Sequence, residues 1–187
     1  GVGLAGIQIA KALRQATVIA TAGTAEKRQV CLDTGADAAF DYRGAWEDEV
    51  RAFSDGCDVI LDAQAGNYTQ RQLDLLRPDG RLVFIASHLG PTAEVNIRDI
   101  VRRRLTLTGS TLRPRPASYK GALASELVAQ VWPLLETGAI TTRIHAVFPF
   151  ERVADAHAVL DANTQIGKVV LAVDASMAET VPGAAPC

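Results

Sequence analysis

The chain begins with Gly-Val-Gly-Leu-Ala-Gly, a G-x-G-x-x-G run that leads directly into a helical repeat of apolar residues. The spacing of the apolar residues predicts a helix over residues 2–15. In such a loop Gly1 permits a tight turn, Gly3 lets a phosphate approach the backbone, and Gly6 lets the helix pack closely on a sheet. The first turn of the helix also offers N–H groups to an anion. The alternative is a set of small residues that only pack the helix onto a sheet.

The rest of the chain alternates β-branched runs with amphipathic stretches, and the pattern repeats about every 25 residues. This alternation is typical of βαβ units with right-handed crossovers, so we predict an α/β fold with a doubly wound parallel sheet of the Rossmann type. The predicted strands cover residues 17–22, 38–41, 58–62, 81–86, 105–112, 144–149 and 168–173. The predicted helices cover residues 2–15, 24–34, 46–53, 67–76, 97–104, 118–136 and 151–161, with a turn at residues 78–80.

Charge and cysteine content restrict the class of protein. The 187 residues carry 19 Lys and Arg against 21 Asp and Glu, a net charge of −2, so we expect no nucleic-acid partner. No apolar run approaches the length needed to span a bilayer, so we expect no membrane partner. The three cysteines form no C-x-x-C pair, which argues against a zinc ribbon or a disulfide framework and favours the cytoplasm.

The residues at the end of the predicted strand 17–22 determine which nucleotide the loop would bind. Folds that bind NAD place an acidic residue about 20 residues past the loop, at the ribose 2′-OH. Here Gly23 and Thr24 stand at that place, and Lys27 follows in the first turn of the next helix. A helix N-terminus with a nearby ammonium suits a 2′-phosphate, and Tyr42 at the end of the following strand is placed to close over it. We therefore predict NADP(H) rather than NAD(H), the alternative for Lys27 being a solvated surface charge.

Several segments together resemble the cofactor domain of quinone oxidoreductases in the medium-chain dehydrogenase/reductase superfamily. The matching segments are residues 1–11, 20–27, 35–37, 41–43, 131–138, 148–150, 156–160 and 166–171. The run Arg-Leu-Thr-Leu-Thr-Gly-Ser-Thr-Leu-Arg-Pro-Arg at 104–115 is similar to a segment of the zinc-independent, zeta-crystallin-like subgroup. The resemblance covers residues 1–173.

The resemblance implies the following organisation. Residues 1–117 would be an NADP-binding Rossmann domain that lacks its first strand. Residues 118–173 would be the C-terminal helix and the segment returning to a GroES-like catalytic domain, which is expected to be absent from this chain. Residues 174–187 would be a disordered tail. The chain would thus be an N-terminally truncated fragment, and we expect the fragment alone to be inactive.

The resemblance also implies positions for the cofactor contacts. The pyrophosphate, the adenosine phosphate and the nicotinamide would each lie against loops at the carboxyl ends of parallel strands. The implied cofactor-binding residues are Gly1, Val2, Gly3, Gly23, Thr24, Lys27, Tyr42, Ala63, Ala86, Ser87, His88, Thr111, Leu112, Arg113 and Asn163. No metal ligands are expected, and no catalytic side chain is assigned.

The implied activity is hydride transfer from NADPH to a quinone or a related enone. The nicotinamide carries this chemistry, so the lack of an obvious acid–base pair does not argue against it. A homodimer through the edge strand 105–112 is expected. The sequence leaves two alternatives open, namely a relative of zinc-dependent alcohol dehydrogenases and a non-catalytic nucleotide-binding module.

Overall fold

The computed structural model describes residues 1–174 and 185–186, and it shows helices and strands in alternation. The helices are α1 (Val2–Arg14), α2 (Ala25–Asp33), α3 (Trp46–Phe53), α4 (Tyr68–Leu75), α5 (Ile97–Arg103), α6 (Ala117–Gln130), α7 (Trp132–Glu136) and α8 (Val153–Asp161). The strands are β1 (Ile19–Thr21), β2 (Ala38–Phe40), β3 (Cys57–Asp62), β4 (Leu76–Phe84), β5 (Thr106–Gly109), β6 (Ile144–Pro149), β7 (Lys168–Ala172) and β8 (Ala185–Pro186). The predicted α/β fold is confirmed.

The chain forms two compact units. The first unit consists of Gly1–Ala39 and Glu126–Cys187, and the second unit consists of Phe40–Ser125. The predicted tail over residues 174–187 lies for the most part outside the described residues. Among the residues that the structure describes, none of the helices has the length and apolar character that a bilayer crossing requires.

In the first unit, α1 packs against β1 and α2. Ile7, Cys31 and Ala36 are buried together, with Val18 and Ala20 packed beside them. Asp37, directly before β2, links these elements. Its carboxylate accepts hydrogen bonds from Val18 N at 2.7 Å and from Lys11 Nζ at 2.9 Å. These bonds hold the pKa of Asp37 below its usual range. The start of β2 is thereby fixed to both α1 and the segment before β1.

The C-terminal part of the first unit is a sheet of order β7-β6-β8 with α8 against it. The β6–β7 pair is parallel, and Ala146, Phe148 and Ala156 form its buried core. Gln8 in α1 joins this part to the rest of the unit, since its side-chain amide donates to Thr141 O at 3.0 Å and accepts from Thr141 N at 2.8 Å.

The second unit is built on the parallel sheet β3-β4-β5. Its core contains Leu73, Leu76, Leu82 and Leu105, and Leu82 has no exposed surface. Because β3, β4 and β5 are parallel, their carboxyl ends form one edge of this sheet.

The strand expected over residues 17–22 covers only Ile19–Thr21, and three further predicted elements differ from the structure. The helix expected over residues 118–136 is two helices, because Pro133 lacks an N–H donor and its ring conflicts with a continuous helix, so a new helix begins at Trp132. The edge strand expected over residues 105–112 covers only Thr106–Gly109. The turn expected at residues 78–80 lies inside β4 as an irregularity of the ladder.

That irregularity in β4 has a clear backbone cause. Cys57 pairs with Leu76, and Val59 already pairs with Arg81, so β4 carries extra residues between these two pairs. Asp79 is left-handed, with φ of 65°. The extra residues form a bulge within the strand, which explains why a turn-like sequence lies inside β4.

Candidate functional site

The glycine loop begins α1 in the first unit. A Cβ atom at Gly1 would lie 3.2 Å from Lys168 Cε and 3.3 Å from Lys168 Nζ, so the ammonium of Lys168 lies beside the loop. A Cβ atom at Gly3 would meet no described atom within 4 Å. Packing within the described residues therefore gives no reason for glycine at position 3, whereas close approach of a ligand would give one.

The surroundings of Gly6 do not match the expectation for this residue. It was expected to let α1 pack closely on a sheet, yet a Cβ atom at Gly6 would also meet no described atom within 4 Å. The expectation is wrong for the described residues, because none of their elements reaches α1 at this position.

The start of α2 gathers four of the predicted residues. Thr24 is the N-cap, and its hydroxyl oxygen accepts a hydrogen bond from Lys27 N at 3.1 Å. The ammonium of Lys27 donates to the main-chain carbonyl of Asn163 at 2.7 Å, and Gly23 is buried beside the cap. The structure thus brings together Gly23, Thr24, Lys27 and Asn163, although 136 residues separate the last two.

Two further cations of the first unit, Arg28 and Lys168, were not predicted from the sequence. Arg28 Nη1 donates to Ala22 O at 3.3 Å, which places its guanidinium at the carboxyl end of β1. Lys168 lies beside Gly1. Arg28 directly follows Lys27 in the first turn of α2, so a local signal existed; Lys168 has no local signal because its proximity to Gly1 arises only in the fold.

In the second unit, three predicted loops begin at one edge of the sheet. Asp62 pairs with Phe84, and Phe84 pairs with Gly109, so β3, β4 and β5 end in one row. The loops that follow these strands hold seven predicted residues, which are Ala63, Ala86, Ser87, His88, Thr111, Leu112 and Arg113. Ser87, His88 and the three residues after β5 are exposed, whereas Ala63 and Ala86 are half-buried.

Hydrogen bonds connect the loops after β3 and β4. His88 N donates to Ala63 O at 3.1 Å, and Leu89 N donates to Gln64 O at 2.9 Å. The carboxylate of Asp62, only 3% exposed, accepts from Gln64 N at 2.8 Å and from Ala65 N at 2.7 Å. Asp62 therefore organises this edge of the sheet, a role that the sequence analysis did not assign.

Tyr42 belongs to the second unit and is 38% exposed just beyond β2. Its neighbour Arg43 forms a two-point ion pair with Asp41, with Nε–Oδ1 at 3.0 Å and Nη2–Oδ2 at 2.8 Å. This pairing raises the pKa of Arg43 further above its usual range.

Within residues 1–174 and 185–186, no group of three or more His, Cys, Asp or Glu side chains is placed to hold a metal ion. The described residues therefore do not themselves provide a zinc site.

Comparison with known proteins gives consistent matches. The model of the zinc-binding dehydrogenase family matches residues 1–129. Human quinone oxidoreductase is 30% identical over 175 residues, covering 91% of this chain and 51% of the relative. The chain spans about half the length of the curated relatives it matches.

Solved structures agree. The quinone oxidoreductase of Thermus thermophilus, a structure determined also in complex with NADPH, has a TM-score of 0.80 at 30% identity, covering 92% of this chain and 54% of that chain. An NAD-dependent alcohol dehydrogenase has a TM-score of 0.76 at 29% identity, covering 93% of this chain and 48% of that chain.

Proposed function

Because the chain belongs to the zinc-binding dehydrogenase family, we propose that the full-length protein is an NADPH-dependent oxidoreductase that transfers a hydride to a quinone or a related enone. The family match and the quinone oxidoreductase relatives confirm the predicted resemblance to the medium-chain dehydrogenase/reductase superfamily. Quinone oxidoreductases solved with NADPH are among the similar structures, which supports the same cofactor here.

The observation that carries the cofactor proposal is the pair formed by Lys27 and Asn163. An ammonium has three donors, and the carbonyl of Asn163 engages one of them at 2.7 Å. The remaining donors and the charge suit a phosphate monoester beside the α2 N-terminus. No acidic side chain stands at residues 21–24 to bind a ribose 2′-OH instead.

The residues of the chain divide the binding of NADPH between them. Val2 and Gly3 offer backbone N–H groups to the pyrophosphate, with Lys168 as a nearby cation. The loops after β3, β4 and β5 border the nicotinamide and orient one of its faces. When bound, the nicotinamide supplies the hydride, and the protein contributes position and exclusion of water.

A titration of the full-length protein with NADPH and NADH tests the proposal. We expect much tighter binding of NADPH, together with NADPH oxidation when a benzoquinone is added. Equal affinities would reject the cofactor assignment, and NADPH binding without quinone turnover would favour a non-catalytic module.

The second candidate is an NAD-dependent alcohol dehydrogenase that uses zinc, and a solved alcohol dehydrogenase of similar fold favours it. We prefer a zinc-independent reductase because of the resemblance at residues 104–115. Metal analysis of the full-length protein separates the two candidates: one tightly bound zinc per chain, needed for activity, would favour the dehydrogenase.

We further propose a homodimer and a cytoplasmic location. β5 is the terminal strand of the sheet β3-β4-β5, and all four of its residues are exposed. Helix α5 exposes Ile97 by 63% and Val101 by 70%. An exposed strand edge favours pairing with a second copy, and exposed apolar side chains favour burial in an interface. The free thiols of Cys31 and Cys57 suit a reducing compartment.

A further inference from the structure

Tyr42 contacts a second tyrosine, Tyr68, within the second unit. The hydroxyl of Tyr68 donates a hydrogen bond to the main-chain carbonyl of Tyr42 at 3.2 Å. The two rings also meet edge to face, with centroids 6.3 Å apart and an interplanar angle of 81°. Tyr68 therefore holds both the backbone and the ring of Tyr42.

Tyr68 is itself fixed from its other side. The ring of Trp46 is 6.4 Å away, centroid to centroid, and nearly parallel at 27°. The guanidinium carbon of Arg71 lies 5.0 Å from the centroid of the Tyr68 ring and 5.5 Å from that of Trp46. Such cation–π and stacking contacts favour one orientation of the tyrosine ring over others.

The far end of this arrangement is a carboxylate. Glu47 accepts from Nε of Arg71 and also from Nη2 of Arg71, the latter at 2.9 Å. Trp46 is only 6% exposed, so the arrangement is fastened to the interior of the unit. A continuous series of contacts thus runs from Glu47 through Arg71 and Tyr68 to the exposed Tyr42.

We propose that Tyr68 is a positioning residue that fixes Tyr42 for contact with the 2′-phosphate of NADPH, and so contributes to the choice of NADPH over NADH. The inference rests on the proposed function, because it assumes that Tyr42 borders the nucleotide. Its physical basis is preorganisation: an exposed tyrosine held before binding loses less conformational freedom when a ligand arrives.

The test compares Tyr68→Phe with the unaltered full-length protein, using dissociation constants for NADPH and NADH measured by fluorescence titration. Phenylalanine keeps the ring stacking and removes only the hydroxyl that binds Tyr42 O. We expect the dissociation constant for NADPH to rise about threefold to tenfold, because Tyr42 must then lose more conformational freedom on binding, while that for NADH changes less than about twofold. Tyr119→Phe is the matched control, since its ring lies beneath Arg115 on α6.

The outcomes are distinguishable. If Tyr42→Ala weakens NADPH binding but Tyr68→Phe does not, the positioning role is wrong and the proposed function stands. If Tyr68→Phe lowers the melting temperature and weakens both nucleotides equally, Tyr68 is only structural and the inference is overturned. If the unaltered protein binds neither nucleotide, the proposed function itself is wrong. A Tyr68→Leu variant, which also removes the ring, is expected to exceed the effect of Tyr68→Phe on NADPH.

Discussion

The ammonium of Lys27 donates a 2.7 Å hydrogen bond to the main-chain carbonyl of Asn163, across 136 residues of sequence. Asn163 has a left-handed backbone, with φ of 51°, just beyond the end of α8. Asparagine adopts this conformation more readily than most residues, so it suits the turn whose carbonyl accepts from Lys27. The link gives Lys27 a fixed direction and connects the N-terminal end of α2 to the C-terminal part of the first unit.

Removing the charge of Lys27 should alter nucleotide preference more than stability. Lys27→Met keeps an unbranched stem and removes the ammonium, so we expect the dissociation constant for NADPH to rise about tenfold or more, as for a charge-assisted hydrogen bond. That for NADH should stay nearly constant. The control is Lys11→Met, because Lys11 binds Asp37 at 2.9 Å elsewhere in the same unit and should affect melting temperature alone. An equal loss for both nucleotides in Lys27→Met would contradict the assignment.

Local chemistry made part of this site predictable. Thr24 and Lys27 lie within one turn of helix, and a threonine before a helical run is a recognisable N-cap. The partner of Lys27 was predicted only as a second member of the same site, through the resemblance. The hydrogen bond between them depends on the backbone conformation at the end of α8, which residue spacing in the sequence does not predict.

The elements that were predicted incorrectly also depend on contacts that form only in the folded chain. Pro133 was a visible signal for a break, but the apolar residues on both sides of it continue a helical pattern. The sequence around Asp79 has the composition of a turn, and only the pairing of Cys57 with Leu76 shows that the chain stays in the sheet. Tyr68 carried no signal, because a tyrosine in an amphipathic helix is ordinary until its partner is known.

The pair of Glu47 and Arg71 should make stability depend on pH in the acid range. Hydrogen bonds from Arg71 hold the pKa of Glu47 below its ordinary value near 4.5. A carboxyl group with a lowered pKa in the folded state stabilises the protein above its ordinary pKa, and this contribution is lost as pH falls through the lowered pKa. We expect Glu47→Gln to reduce the free energy of unfolding by about 1 kcal/mol at pH 7, a modest value because Arg71 is partly exposed.

The measurement is thermal or denaturant unfolding of both proteins from pH 7 to pH 3. The difference between them should shrink below about pH 4, where the carboxylate becomes protonated. Glu49→Gln provides the control, since Glu49 lies exposed in the same first turn of α3 and shares its helix dipole. A difference that persists unchanged at pH 3 would show that the ion pair is not its source.

Leu82 and Leu107 face each other across the β4–β5 pair and should differ strongly when truncated. Leu82 is fully buried, whereas Leu107 is 36% exposed. Leu82→Ala should cost about 2–5 kcal/mol, because it removes apolar contacts and leaves a cavity. Leu107→Ala should cost about 1 kcal/mol or less, since much of its side chain already contacts water. Denaturant midpoints compare the two directly, and similar losses would contradict the described placement of the core.

The proposed dimer can be tested without disturbing the core. Val101 is 70% exposed on α5, and β5 forms the open edge of the sheet β3-β4-β5. Val101→Glu places a charge on the exposed apolar side of α5, so a dimer that buries both α5 and the β5 edge should convert to a monomer while the melting temperature of the monomeric fold changes little. Light scattering coupled to size exclusion gives the mass directly. The control is Val128→Glu, a comparably exposed apolar residue on α6, at 59%. If the unaltered protein is monomeric, or if Val101→Glu leaves a dimer intact, a dimer that buries both β5 and α5 is wrong.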